Sequence, residues 1–296
     1  MGMHLPRSIA EVSSLVVLEQ APSTNAALRG RVEAGNAPHF TAVATMNQTA
    51  GKGRLGREWT APAGTSLAVS VFLSAEKAQG TEGAVSRGLG WLPLLAGLAM
   101  RRAVASLVAV HAADAAVTLK WPNDVLIDRH KVCGVLAESV GAGGAAHSGV
   151  IVGAGLNLTM TAAQLPVVTA TSLSLHGVPI DGIEDAALAT YLRELRSLYD
   201  DFVTAGFDAD ADGDAGLRAM VTRECETIGR AVRVELPGAE PVYGVAEGVD
   251  AGGRLEVRPG VASPHEGLPG FPTSANPSGL AVIAVAAGDV THLRYP

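Results

Sequence analysis

The chain has 296 residues, 48% of them hydrophobic and 17% charged, with a formal net charge of −7 and a mean hydropathy of +0.26. That much apolar material argues against global disorder, which requires low hydrophobicity and high net charge; the length suggests about two domains. The acidic balance argues against a dedicated nucleic-acid binder, which normally carries a basic excess.

The first ten residues lack the apolar run of a signal peptide. Glu11 to Leu18 reads as a strand. Ala21-Pro22-Ser23-Thr24-Asn25 reads as a turn into a helix, with Ser23 or Thr24 as its N-cap. Thr41 to Ala44 is a short apolar strand. Gln48 to Gly64 is glycine-rich, basic and aperiodic, so it reads as a loop; Leu67 to Leu73 is again a strand. Val85 to Leu107 has helical character, with Pro93 setting a start or a kink. Its longest uncharged stretch, Gly88 to Met100, has 13 residues, short of the roughly 18 a membrane span needs.

Short strands are expected at Val117 to Lys120, Val125 to Ile127 and Val132 to Glu138. Gly141 to Gly149 would be a flexible hairpin tip, followed by a strand from Gly149 to Leu158. Glu184 to Val203 is the clearest helix, because Leu188, Tyr191, Leu192, Leu195, Leu198, Tyr199 and Phe202 recur at helical spacing. Asp208 to Gly216 reads as a solvated acidic linker; a calcium loop would need a bidentate Glu where Ala219 stands. After Thr222 short strands with Gly/Pro turns take over, at Val232 to Leu236, Val242 to Glu247, Leu255 to Arg258 and Leu280 to Ala284. Pro259 to Gly279 would be a mobile insertion. The expected division is therefore a domain over 1–223 and a small β-domain over 224–296. Cys133 and Cys225 lack partners at metal-ligand spacing, which argues against zinc and fits a reducing cytoplasm.

Three segments carry chemistry. Gly51-Lys52-Gly53-Arg54-Leu55-Gly56 matches the dinucleotide fingerprint G-x-G-x-x-G. That motif must open a helix, and the nine residues before Ser66 contain Pro62 and Gly64, so no crossover helix fits. What remains is Lys52, Arg54 and Arg57 on a flexible backbone, equally readable as a solvated basic loop or as an anion site. Lys120-Trp121-Pro122-Asn123-Asp124 forms a rigid corner between strands, and the chain's return could bring Lys131 near Asp124; an ordinary surface ion pair fits as well. Gly153-Ala154-Gly155-Leu156-Asn157 puts small residues and a lone amide in a strand, where something can approach the backbone closely. Asn157 is either a satisfied core amide or a ligand contact.

Taken in order, Ser23-Thr24-Asn25, Gln48 to Trp59, Lys120 to Asp124, Lys131 to Leu136 and Gly153 to Asn157 resemble the biotin protein ligases. The resemblance implies an α+β fold: a mixed sheet with flanking helices, like the class II aminoacyl-tRNA synthetase core, plus a small C-terminal SH3-like β-barrel. It implies that biotin and ATP give biotinyl-5′-AMP and pyrophosphate. The acyl group then passes to a lysine on the biotin carboxyl carrier domain of a biotin-dependent carboxylase. Mg²⁺ would ride mainly on the ATP phosphates, without an all-protein metal site.

By the same resemblance, Arg54 and Lys131 contact the biotin carboxylate and acyl-phosphate, and Lys52 and Arg57 hold phosphates and close the loop. Ser23, Thr24, Asn25 and Gln48 bond the ureido edge, with Gly51 and Gly53 beside them, and Gly134 leaves room for the ring. Trp59 packs on the adenine side, with Asn123 and Asn157 near the nucleotide. Asp124 positions the acceptor lysine. Lys52 stands where the family often has Arg. With 22 residues before Ser23, the resemblance implies a monofunctional cytoplasmic enzyme, monomeric or weakly dimeric, that binds neither DNA nor membrane. Lipoate or octanoate ligation and non-catalytic biotin sensing are the alternatives.

Overall fold

A computed structural model describes residues 3–74, 88–141, 148–236, 238–260, 281–286 and 288–293. Most of the expected hairpin tip and insertion, and the start of the Val85 to Leu107 segment, lie outside these residues. The main sheet has seven strands: β1 (Ser14–Val17), β2 (Thr41–Thr45), β5 (Ser66–Ser74), β6 (Val117–Lys120), β7 (Asp124–Ile127), β8 (His130–Val140) and β9 (Gly149–Asn157). Their order is β1-β2-β5-β9-β8-β7-β6. Only β1 and β2 pair in parallel; every other neighbouring pair is antiparallel. The sheet is therefore mixed, as expected.

The expected Glu11 to Leu18 strand is shorter, because Ser8–Glu11 forms a 3-10 turn whose Glu11 carbonyl accepts a bond from Arg196 Nη2 at 2.8 Å. Helix α1 (Thr24–Glu33) begins at Ser23, whose hydroxyl accepts from the Ala26 N–H and so caps the first turn. Helix α2 (Leu92–Val108) has Pro93 in its first turn, so the proline starts the helix and does not kink it. Together with the preceding turn, the stretch Leu89–Val108 is long and apolar enough by composition to cross a membrane, unlike the 13-residue run read from the sequence. Two-thirds of that stretch is buried inside the protein. Its arginines are held internally: Arg101 pairs with Glu224 and Arg102 with Glu194.

Helix α3 (Ile183–Thr204) buries all seven of the residues its periodicity singled out. It packs with α2 on one face of the sheet, against Leu67, Val69, Val71, Val152 and Ala154. On the opposite face α1 covers only part of the sheet, with Leu28 and Val32 against Val43, Phe72 and Ile151. The remainder of that face is left for a site.

Helix α4 (Leu217–Glu224) leads into a five-stranded antiparallel sheet of β10 (Ala231–Glu235), β11 (Val242–Val249), β12 (Leu255–Pro259), β13 (Ile283–Val285) and β14 (Asp289–His292), ordered β13-β12-β11-β10-β14. The last of these strands escaped the sequence reading: Asp289-Val290-Thr291-His292 carries one apolar residue, too few for a periodic signal. The strand expected at Leu280 to Ala284 forms only over β13, where it pairs with β12. Asp208, Asp210, Asp212 and Asp214 are exposed, as a solvated linker requires.

Candidate active site

A row of small residues makes the floor of a cleft. Register places Ala68 (β5), Gly155 (β9), Gly134 (β8) and Asp124 (β7) side by side across four strands. Ser70, Gly153 and Leu136 form the next row. With alternating faces, this floor lies opposite the face that packs on α2 and α3. A Cβ at Gly155 would lie 2.6 Å from Trp59 Cε2, and one at Gly134 only 3.0 Å from Lys131 Nζ, so glycine lets side chains lie flat on the sheet.

Lys131 should not share a face with Gly134, since the two are three residues apart. A bulge between β7 and β8 removes the conflict: Val125 pairs with Cys133, but Leu126 pairs with Lys131. The extra residue turns Lys131 onto the cleft face, while Val132 and Cys133 both stay buried. Lys131 Nζ then lies 2.7 Å from Asp124 Oδ1 and 5.7 Å from the Trp59 ring centroid. The corner that carries Asp124 is anchored by Trp121, which is buried, and by Asn123, whose Nδ2 donates to the Val135 carbonyl at 2.6 Å.

The basic segment is not wholly a loop. Gly51–Lys52 (β3) and Glu58–Trp59 (β4) pair as a small hairpin, and a single 3-10 turn at Arg54–Gly56 joins them. No helix follows the G-x-G-x-x-G run, as expected. Leu55 and Gly56 are both left-handed, at φ 55° and 75°. Arg54 is partly buried against the cleft; burial holds its guanidinium below the ordinary arginine value, with the Asp124 carboxylate opposing that shift. Arg57 is exposed and pairs with Asp289 of β14 at 3.2 Å. Asp289 had no signal in the sequence; only docking of the C-terminal sheet brings it here.

The far end of the cleft is polar. The Thr24 N–H donates to Gln48 Oε1 at 2.9 Å, and Asn25 Nδ2 donates to Glu138 Oε2 at 2.6 Å. Of the residues singled out from the sequence, Ser23, Thr24, Asn25, Gln48, Lys52, Gly53, Arg54, Arg57, Trp59, Asn123, Asp124, Lys131 and Gly134 line this one cleft. Two do not. Gly51 sits behind it, where a Cβ would collide with the Trp59 carbonyl and Gln48 Nε2. Asn157 is also off the cleft: its Nδ2 donates to the Thr171 carbonyl at 2.9 Å, while its buried Oδ1 has no hydrogen-bond partner. Glu138 and Ser70 were missed because neither belongs to a motif.

Cys133 is fully buried, and burial pushes its thiol well above the ordinary value, so it is no nucleophile. Among the described residues no cluster of three or more His, Cys, Asp or Glu side chains could hold a metal ion.

A mixed sheet with a glycine-floored cleft, cations at one end and a hydrogen-bonding cradle at the other, defines a protein that grips a small anionic ligand along its length. Residues 17–157 match the biotin/lipoate A/B protein ligase family, and residues 227–262 match the biotin protein ligase C-terminal domain. The chain is 36% identical over 280 residues to the biotin–[acetyl-CoA-carboxylase] ligase of Mycobacterium tuberculosis, covering 95% of this chain and 89% of that one. It is 30% identical to the bifunctional ligase/repressor BirA of Escherichia coli, over 82% of this chain and 68% of that protein. In structure it is similar to the biotin protein ligase of Aquifex aeolicus solved with biotin and ATP, with a TM-score of 0.68 at 22% identity, covering 95% of this chain and all of that one. The chain belongs to the biotin protein ligase family.

Proposed function

We propose that this protein joins biotin to ATP, releasing pyrophosphate, and then passes biotin to a lysine on the biotin carboxyl carrier domain of a carboxylase. The observation that carries this reading is the convergence, in one cleft, of the polar Thr24–Gln48 end, the glycine floor and the Arg54–Lys131 cationic end. In the first step a biotin carboxylate oxygen bonds to the α-phosphorus of ATP while the bond to the pyrophosphate oxygen breaks. Two anions must meet, so cations are needed on both. Lys131 and Arg54 serve the carboxylate and α-phosphate, and Lys52 and Arg57 serve the outer phosphates. Trp59 and Asn123 pack beside the nucleotide. A magnesium ion arriving on the ATP phosphates would supply neutralisation of the departing pyrophosphate.

In the second step the acceptor lysine nitrogen attacks the acyl carbon and AMP leaves. A free lysine is protonated at neutral pH, so the amine needs a group that orients it and takes its proton. We assign both roles to Asp124, which lines the cleft 2.7 Å from Lys131 Nζ. Asp124→Asn is expected to slow transfer from preformed adenylate by about 10²-fold and to slow adenylate formation much less. Single-turnover rates of the two half-reactions check this; equal slowing would remove the assignment.

The division at 223/224, the SH3-like character of the five-stranded C-terminal sheet and the synthetase-like core belong to the same reading. They are supported by the sheet order and by the separate match over residues 227–262. The net charge of −7 favours a ligase without a DNA-binding role, and two buried, unpaired cysteines favour the cytoplasm. The test of the reaction is biotin-dependent exchange of labelled pyrophosphate into ATP, with lipoate and octanoate in parallel. Exchange with biotin alone is expected; exchange only with another acid would overturn the choice of substrate.

A further inference from the structure

The bulge that turns Lys131 onto the cleft face also loosens its ladder with β7. Its other edge has lost β9, because the pairing of β8 with β9 stops at Cys133, opposite Leu156, two residues short of Lys131. Another segment takes the vacant place. The Lys131 N–H donates to the Thr169 carbonyl at 2.7 Å, and the Lys131 carbonyl accepts from the Thr171 N–H at 2.9 Å. Residues 169–171 thus stand in for β9, in a parallel bridge centred on Ala170.

Thr171 fixes this segment from two sides. It is buried. Its carbonyl accepts from Asn157 Nδ2 at 2.9 Å, and its hydroxyl lies 3.0 Å from His176 Nε2, at the end of the 3-10 turn Leu173–His176. Burial holds the His176 ring below the ordinary histidine value; Asp128 opposes that shift and His130 adds to it. A neutral ring carries one proton. Asp128 Oδ2, in the turn that leads into β8, lies 4.0 Å from His176 Nδ1, and a carboxylate only accepts, so its field favours the proton on Nδ1. Nε2 then accepts from the Thr171 hydroxyl. Asp128 is half exposed; it orients the ring without holding it.

We infer that Thr171, gripped by His176 at its hydroxyl and by Asn157 at its carbonyl, is a positioning residue that keeps the Lys131 ammonium on the reacting atoms. Neither Thr171 nor His176 lines the cleft, so they act through the Lys131 backbone and touch no substrate. The inference rests on the reading above, in which Lys131 carries charge in adenylate formation. A displacement of about 1 Å is enough to cost such a group up to about 10²-fold in rate.

The test is biotin-dependent pyrophosphate exchange at saturating biotin and ATP, for Thr171→Val and His176→Leu, each alone and combined with Lys131→Met. Each single variant is expected to cut exchange about tenfold, and the Thr171→Val/His176→Leu pair no more than either alone, since both break one bond. His176→Gln, whose amide reaches the place of Nε2, should stay within about threefold of the parent. In the Lys131→Met background the same substitutions should change the residual exchange less than about twofold, because no ammonium is left to misplace. General damage to the fold would instead cut exchange about tenfold in both backgrounds, and that result overturns the inference. So does exchange within twofold of the parent in either single variant that keeps the parental melting profile. If Lys131→Met alone exchanges as fast as the parent, the reading of Lys131 falls, and the inference with it. Thr171→Val keeps nearly the shape of threonine, so it carries the test if His176→Leu does not fold.

Discussion

Lys131→Met is expected to cut biotin-dependent pyrophosphate exchange by about 10³-fold, about 4 kcal/mol of transition-state stabilisation. Methionine keeps much of the aliphatic stem, so the contact with Trp59 and the fold are retained while the charge is lost. Two effects then add. The carboxylate and α-phosphate lose a cation at the point where they must approach each other. Asp124, whose Oδ1 is buried and whose partner is Lys131 at 2.7 Å, is left as an uncompensated carboxylate in the cleft, and its negative charge now repels the incoming biotin carboxylate. Lys131→Arg should recover only part of the rate, because the guanidinium is planar and longer, and Gly134 and Trp59 leave little room beside the ammonium. The measurement is the exchange rate at saturating biotin and ATP. A Lys131→Met rate within tenfold of the parent would mean that Arg54 alone carries the adenylating charge.

Most elements were legible where periodicity or capping speaks locally. Helix α3 announced itself through seven apolar residues at helical spacing, and α1 through Ser23. The glycine floor was readable as small residues in a strand, though not what lies on it. The bulge that turns Lys131 into the cleft was not readable: Lys131-Val132-Cys133-Gly134 looks like an ordinary strand, and its register is set by pairing with β7. Asp289 was equally hidden. Its position depends on how the C-terminal sheet docks, a long-range outcome with no local signal. Asn157 shows the opposite case. The resemblance pointed it to the nucleotide, but it does not line the cleft, and its Nδ2 is bonded to the Thr171 carbonyl.

Docking of the C-terminal sheet leads to the second large effect. Trp121 is buried between the two sheets. Its Nε1 donates to the Gly253 carbonyl at 3.2 Å, and its backbone N–H to Thr227 Oγ1 at 3.1 Å. Trp91 makes a parallel contact, donating to the Ala251 carbonyl at 2.8 Å. Both indoles thus hold the turn between β11 and β12. Trp121→Ala is expected to cost about 3–5 kcal/mol, as a buried aromatic truncation does, and to lower the melting temperature by on the order of 10 °C. Asp289→Asn tests the other link between the sheets, the Arg57–Asp289 pair. Both of its side chains are roughly half exposed, and an exposed pair contributes at most about 1 kcal/mol. Its melting curve should therefore stay within about 2 °C of the parent. The contrast separates what holds the C-terminal sheet from what the sheet then positions: buried indoles set the docking, and the docking delivers Asp289 to the loop. Pyrophosphate exchange by folded Trp121→Ala should fall as well, since Asn123 and Asp124 stand on the corner that Trp121 anchors. Comparable melting of Trp121→Ala and the parent would mean that the sheets are held together elsewhere, and the tryptophan corner would lose its part in positioning Asp124.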